Sequence, residues 1–440
     1  MLMKKVLIAN RGEIAVRIIR ALKLLNISSV AVYSQADKDG LWVKMADQSI
    51  CIGPARSSES YLNVRNLISA ALLSRCDAIH PGVGFLSESA SFAKEVTDSG
   101  LIFIGPSHQT IAILGDKIEA RILAKKAGLP VTPGGFEPIR DLDHLKKEAA
   151  LIGYPVILKA AFGGGGKGMR IVEKEEDLES SFNLAKQEAM QFFANDTIHI
   201  EKYLTHPRHI EVQLLADGNN HVIFLGERDC SVQKNHQKLI EESPSPVVNE
   251  KLRNTLKEAS IKLFKELKYK GAGTIEFLVE DDLCCFMEVN ARIQVEHPVS
   301  ELVSSLDLIK EMIQIAFDNK NSCTKPSPKL KGHAMEVRIN ALSCGVITKF
   351  NPPLGPFVRC DTHLYTGVNI SPFYDSMLAK VIVSGETRME CINRMIVALK
   401  EMEIEGINTN IQQSINILSN KQFKSGKYDT TLYKKIEKEI

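Results

Sequence analysis

Glu276 and Glu288 stand on either side of Glu280-Asp281-Asp282, a run of turn formers between two stretches rich in β-branched and aromatic residues. A hairpin with strands over 274–279 and 283–289, turning through those three residues, is expected to bring the two glutamates directly opposite each other. Cross-strand Cβ atoms lie ~5 Å apart, and two unscreened charges there repel by roughly 3 kcal/mol at an effective dielectric of ~20. A divalent cation between them removes that cost, and oxygen ligands suit Mg²⁺. Two solvated glutamates on an exposed face would need no such partner, so the neighbouring residues decide. Glu288, Asn290, Arg292, Gln294 and Glu296 occupy every second position, with Val289, Ala291, Ile293 and Val295 between them. In an extended run they project to one side. They can then gather metal ligands, a guanidinium for an oxyanion and a carboxylate base, and the chemical reading is preferred.

The second signal is Lys159-Ala160-Ala161-Phe162 followed by Gly163, Gly164, Gly165 and Gly166, then Lys167-Gly168. Consecutive glycines leave backbone N–H groups unshielded and permit positive φ, so such a loop can wrap phosphates. A P-loop is excluded, because Lys167 is followed by Gly168 and a β-rich run instead of Ser or Thr and a helix. Between two good strands a phosphate-covering hairpin flap is preferred over a flexible linker. A third group, Gln233-Lys234-Asn235-His236-Gln237-Lys238 with His209 and Glu211, offers hydrogen-bonding side chains and cations that suit ribose and phosphate. Taken alone, those histidines would equally serve as packed or surface residues.

These groups need elements to hold them. Apolar runs over 6–9, 30–33, 78–80 and 102–105 alternate with helical periodicity over 13–25, 62–73 and 89–96, which predicts a parallel sheet flanked by helices. The first strand-to-helix turn, Asn10-Arg11-Gly12-Glu13, lacks Gly-x-Gly-x-x-Gly, which argues against a dinucleotide. A helix is predicted over 107–127, stopped by Gly128 with Pro130 and Pro133 beyond it. Strands follow over 156–160, 169–172, 198–203, 210–215 and 222–226, then a helix over 250–267 before the carboxylate hairpin. The Lys-, Ser- and Pro-rich segment 319–331 reads as a linker to a last mixed region.

The 440 residues are too many for one core. With 44% hydrophobic and 25% charged residues the composition is that of a soluble globular chain. Its 55 basic and 53 acidic residues nearly cancel, giving no general attraction to nucleic acid or an anionic membrane. Nine cysteines without a Cys-x-x-Cys pair suggest reduced thiols. The apolar run after Lys4-Lys5 is too short for a signal peptide, and no segment reaches membrane-spanning length, so a cytoplasmic location is expected.

Taken together and in order, the motifs resemble the biotin carboxylase family of the ATP-grasp superfamily. The stretches are Ile8-Ala-Asn-Arg-Gly-Glu-Ile-Ala, His80-Pro-Gly-Val-Gly-Phe-Leu-Ser-Glu, Gly115-Asp-Lys, Tyr154-Pro-Val-Ile-Leu-Lys, the glycine flap, Glu227-Arg-Asp-Cys-Ser and Arg292-Ile-Gln-Val-Glu-His-Pro-Val. Arg338-Ile-Asn-Ala, Tyr374-Asp-Ser-Met and Glu405-Gly-Ile-Asn-Thr-Asn extend the likeness along nearly the whole chain.

The resemblance implies an α/β chain in three parts. A Rossmann-like domain would cover 1–114, an ATP-grasp domain 115–330 with a mobile lid at about 131–203, and a mixed α/β domain 331–440. For ATP it implies Lys117 and Lys159 on the phosphates under the glycine flap. Glu201 and Lys202 would read adenine by backbone, with Leu204 and Leu278 packed on it, and His209, Gln233 and His236 would lie near the ribose. Glu276, Glu288 and Asn290 would hold Mg²⁺ or Mn²⁺, at two sites. Lys238, Arg292, Gln294 and Val295 would surround bicarbonate, with Glu296 as base, and Arg338 would face biotin beside Val83 and Gly84.

The implied reaction is ATP-dependent carboxylation of biotin through carboxyphosphate, the first half-reaction of acetyl-CoA carboxylase in fatty-acid synthesis. Without an Ala-Met-Lys-Met-like motif the chain would meet a separate biotinylated carrier protein and carboxyltransferase subunits, and act as a homodimer. Three positions depart from the family pattern: Val83 replaces a usual Tyr, the loop after Ala341 is short, and Leu24 replaces a frequent acid at the dimer contact, although Arg20 and Arg359 are kept. The alternatives are a subunit of another acyl-CoA or pyruvate carboxylase, an ATP-grasp ligase with a non-biotin acceptor, and a non-catalytic nucleotide-binding relative. The last is disfavoured by the retention of Lys238, Glu276, Glu288 and Glu296.

Overall fold

The computed structural model describes residues 4–134, 136–161, 168–235, 237–281 and 283–438. Near the N-terminus a parallel sheet runs Gln48–Gly53, Ser28–Ser34, Lys5–Ile8, Ala78–His80, Ile102–Phe103. The helices Gly12–Leu24, Val64–Leu73 and Ala90–Asp98 fall where the sequence periodicity places them. The edge strand Gln48–Gly53 escapes that reading because only Ile52 in it is buried and its apolar run, Ile50 to Ile52, is too short to show a period. The single helix expected over 107–127 is two, His108–Gly115 and Lys117–Ala127. Asp116 divides them: its backbone is extended, and its side chain accepts from the N–H groups of Ile118 and Glu119. This cap fixes Lys117 in the first helical turn. Gly128, at φ +96°, ends the helix as expected.

A small three-stranded antiparallel sheet, Met169–Val172, Val156–Ala160, Ile198–Lys202, is covered by the helices Leu142–Ile152 and Leu178–Phe193. It has its own core, which includes Leu145, Leu158, Phe182 and Ile200. The residues 163–166 of the glycine run, with Lys167, lie outside the described residues, as do His236 and Asp282.

The body is an eight-stranded antiparallel sheet ordered Leu283–Asn290, Lys270–Glu280, Arg208–Asp217, Val222–Lys234, Gln237–Ser243, His333–Asn340, Met377–Gly385, Val358–Thr362. The strand expected to stop at residue 226 continues to Lys234, because Gly226, at φ +94°, forms a bulge and not an end. Segment 319–331 is no free linker. Ser322 donates to Glu311 through both its N–H and its hydroxyl, Cys323 is buried, and Ser327 accepts from the Phe224 N–H.

Alternation in the C-terminal half of this sheet is unusual in its consequence. Met335, Val337, Ile339, Ala379, Val381 and Val383 face an apolar core shared with the helix Arg388–Glu401. Glu336, Arg338 and Lys380 therefore face the other way. There the helices Gly12–Leu24 and His297–Ser304 cover the sheet, contributing Glu13, Arg17 and Glu301. A buried ionic layer thus joins parts of the chain that lie hundreds of residues apart.

Candidate active site

A cavity of about 760 Å³ opens between the small sheet, the body and the N-terminal region. Lys117, Lys159, Glu201, His209, Gln233, Lys238, Glu276, Glu288, Asn290, Arg292, Gln294, Val295, Glu296, Arg338, Val83 and Gly84 all line it. Lys202, Leu204 and Leu278 are not among the described residues that do.

The carboxylate pair forms by a different route from the expected one. Glu280 pairs with Leu283, so the turn has two residues, and a one-residue register shift at Met287 then brings Glu276 opposite Glu288. Burial, with the charge of Glu276, raises the Glu288 carboxyl above its usual value, while Lys117 opposes the rise. Burial also opposes the Glu276 charge, but Lys238 and His209 outweigh it and hold that carboxyl well below the usual range. Asn290 Nδ2 and Gln294 Nε2 both donate to Glu276 Oε1, at 2.9 and 2.8 Å. The run expected to stay extended ends as a strand at Asn290, and the chain folds under itself before Glu296 starts the helix His297–Ser304. Pro298 fits that first turn, where its missing N–H is not needed. The Glu296 side chain makes no cap and turns into the cavity.

Lys238 is the hub. Its Nζ donates to Glu211 Oε2 at 2.6 Å, Glu296 Oε1 at 2.7 Å and Glu276 Oε1 at 2.9 Å. Burial would lower the Lys238 ammonium, but these three carboxylates hold it well above its usual value. Burial works against the Glu296 charge as well, and Lys238, Arg338 and Arg228 hold it well below the usual range. Arg338 donates from its NH2 to Glu296 Oε2 at 2.9 Å and from its Nε to Glu241 Oε1 at 2.6 Å. Arg292 donates to Glu88 at 2.8 Å and to Asn290 Oδ1 at 3.0 Å. His209 accepts from Gln233 at Nδ1, 3.1 Å, leaving Nε2 3.1 Å from Glu276 Oε2.

On the small sheet, Lys159 Nζ donates to Glu201 Oε2 at 2.9 Å, and Arg121 and His199 stand 3.2 and 3.0 Å from the other Glu201 oxygen. Burial opposes this carboxylate, yet Lys159 with His199 and Arg121 holds it well below the usual range. The Glu201 side chain thus orients Lys159. Lys202 donates to the Gly153 and Tyr154 carbonyls, and its N–H bonds the Pro133 carbonyl. Lys117 is lowered by burial and by Lys159, with Glu288 acting against both.

Several supporting residues carry no periodic signal. Arg228, fully buried, donates to Glu211, Gln213, Gln294 and Ser300. Lys380 donates to the Val295 carbonyl at 2.8 Å and lies 3.2 Å from Glu13. Arg228 and Glu13 fall within motif stretches that stand out in the sequence, which is the one signal that could have marked them.

The arrangement holds the Glu296 carboxylate between two cations, next to oxygen and amide groups able to take a hard divalent ion, with two further lysines across the cavity. That set suits activation of a small oxyanion by nucleotide phosphate. Comparison with known proteins agrees. Residues 2–111 match the biotin carboxylase N-terminal domain, 116–322 the ATP-binding domain of the carbamoyl-phosphate synthase L chain, and 337–435 the biotin carboxylase C-terminal domain. The biotin carboxylase of Haemophilus influenzae is 48% identical over 97% of each chain, and biotin carboxylase 1 of Bacillus subtilis 48% over 98% of each. The structure of a biotin carboxylase–β-γ-ATP complex from Campylobacter jejuni superposes with TM-score 0.95 at 47% identity, covering 98% of this chain and 99% of that one. The biotin carboxylase domain dimer of Hydrogenobacter thermophilus 2-oxoglutarate carboxylase, in complex with MgADP, ADP and bicarbonate, superposes with TM-score 0.94 at 39% identity, covering 99% and 98%.

Proposed function

The chain belongs to the biotin carboxylase family, ATP-dependent ligases with an ATP-grasp fold, and on that premise we propose that Glu296 is the point where its two half-reactions meet. The observation that carries this reading is the division of its carboxylate. One oxygen bonds Lys238, which also touches Glu276, and the other bonds Arg338.

Bicarbonate lies against Lys238, Arg292, Gln294 and the Val295 backbone, and Glu296 takes its proton. The oxyanion attacks the γ-phosphate of ATP, giving ADP and carboxyphosphate, while Lys117 and Lys159 offset the moving charge. Glu276 and Glu288, with Asn290 beside them, hold Mg²⁺ or Mn²⁺, which neutralises the phosphates when bound. Their fit rests on two facing carboxylates, Glu276 buried and Glu288 half-buried at the cavity wall. Carboxyphosphate then releases CO₂ and phosphate. The phosphate removes the ureido proton of biotin, Arg338 stabilises the enolate beside Val83 and Gly84, and the deprotonated ureido nitrogen attacks the CO₂ to give carboxybiotin. Closure of the lid at about 131–203 excludes the water that would destroy the intermediate.

The chain is read in three parts, 1–114, 115–330 and 331–440, a division supported by the matched family stretches 2–111, 116–322 and 337–435. The biotin arrives on a carrier protein, the chain works as a homodimer in the cytoplasm, and a carboxyltransferase uses the product. No helix among the described residues is long and apolar enough to cross a membrane. Acetyl-CoA carboxylation for fatty-acid synthesis is the preferred downstream role, because whole relatives called simply biotin carboxylase align over nearly their full length. Bicarbonate-dependent ATP hydrolysis measured with and without free biotin tests the assignment. Carboxybiotin must form, and turnover that ignores biotin points to another acceptor.

A further inference from the structure

Behind Arg338, away from the cavity, lies a pair of acids that the reaction above does not use. Glu241 and Glu336 are direct cross-strand partners on the neighbouring strands Gln237–Ser243 and His333–Asn340, and both are 0% exposed. One Glu241 oxygen accepts from Arg338 Nε; the other has no partner, and neither has either oxygen of Glu336. Three orphaned acceptors on two facing buried carboxyls are costly if both groups are ionised. A proton on Glu336 would turn one acceptor into a donor available to its cross-strand neighbour.

We propose that Glu336, carrying a proton donated to Glu241 Oε2, and Glu241 form a buried positioning pair that seats the Arg338 guanidinium for the acceptor. The proposal rests on reading Arg338 as the biotin residue. The surroundings agree with it. Lys238 lies on the strand of Glu241, Cys230 on the next strand, Glu296 on the covering segment, and Lys380 on the strand beyond Arg338, with Glu13 reaching Lys380. Burial raises the Glu336 carboxyl well above its usual value against the pull of Lys380, with Glu241 adding to the rise. Burial also raises Glu241, to about 7, against the pull of Arg338. Glu336 is thus the neutral member and Glu241 the anion that anchors Arg338.

The test is the ratio of carboxybiotin formed to ADP released, followed from acid to alkaline pH in purified full-length enzyme. Glu241→Gln loses the anionic anchor, so the ratio should fall by about tenfold above about pH 7, where Glu241 of the parent is charged, the worth of one charge-assisted bond, and the acid limb should disappear. Glu336→Gln keeps a neutral donor and should follow the parent. Glu336→Met removes the donor, which raises the Glu241 carboxyl. Its charge, present above that value, is then lost sooner as pH falls, and the acid limb of the ratio should move up by about one pH unit. Infrared spectroscopy supplies a readout independent of turnover: a protonated-carboxyl band present at alkaline pH and missing in Glu336→Gln. A folded Glu241→Gln with the parent ratio, an unmoved limb in Glu336→Met, or no such band each overturns the proposal. Arg338→Gln separates the two levels. If it keeps the parent ratio, both the Arg338 reading and this proposal fall; if it uncouples while Glu241→Gln does not, only this proposal falls.

Discussion

Lys238 Nζ lies 2.7 Å from Glu296 Oε1, and it is the first of three cations, with Arg338 and Arg228, that keep the proposed base ionised against its burial. Lys238→Gln should therefore raise the Glu296 carboxyl. A base whose value rises loses its active form at higher pH as pH falls, so the acid limb of kcat/KM for bicarbonate should shift upward. The neutral-pH rate should drop by at least ~10²-fold, as for other electrostatic groups at a reacting oxyanion. An unmoved limb in a folded variant would remove Lys238 from this role.

Glu288→Lys places a cation where the facing carboxylates are proposed to take a divalent ion. Mg²⁺-dependent ATP turnover should vanish while circular dichroism stays that of the parent. Undiminished turnover in the folded variant would make the pair a plain feature of the hairpin.

Glu296→Gln keeps size and hydrogen bonding but cannot take a proton. ATP cleavage and biotin carboxylation should fall together, by the ~10²–10⁴-fold typical of one general base. Arg338→Gln should instead lower carboxybiotin formation far more than ATP cleavage. Parallel assays of ADP and carboxybiotin decide the matter, and equal losses in the arginine variant would favour a non-biotin acceptor.

Arg228 supports the site without touching the cavity. Arg228→Met removes the guanidinium that pairs with Glu211 at 2.6 Å and leaves buried acceptors behind. Breaking a buried pair from one side costs about 3–5 kcal/mol, so the urea midpoint should fall clearly even with nucleotide present. A midpoint equal to the parent's would show that Lys238 alone satisfies Glu211.

Much of this was legible in the sequence, for identifiable reasons. The strand–helix alternation before residue 105 and the side chains gathered at the cavity carry local patterns of type and spacing. The opposed glutamates are an instructive case. The expected hairpin opposes them, but a three-residue turn over 280–282 would by itself set Glu276 against Phe286; the two-residue turn and the extra residue at Met287 each move the register by one, and together they bring Glu288 there. The row from Glu288 to Glu296 converges because the backbone folds under, bringing Asn290 and Gln294 to the same Glu276 oxygen. What stayed hidden are contacts with no period. Lys380 meets Val295 across 85 positions and Arg338 meets Glu241 across 97. A charged residue alternating with apolar ones reads as a solvated strand face, whereas here that face is covered by two helices.

The eight-stranded sheet carries a consequence for how this chain can be altered or inherited. Gln237–Ser243 and His333–Asn340 are hydrogen-bonded neighbours, so the junction near residue 331 separates two stretches of sequence without separating two pieces of structure. A graft that exchanged only the stretch beyond residue 331 for a relative's would have to match an open ladder, residue for residue, and complete the ionic layer on Glu13 and Arg17 as well. The three blocks are therefore no set of interchangeable cassettes: substitutions along that seam have to be accepted in pairs, and the seam should drift more slowly than the helices that flank it.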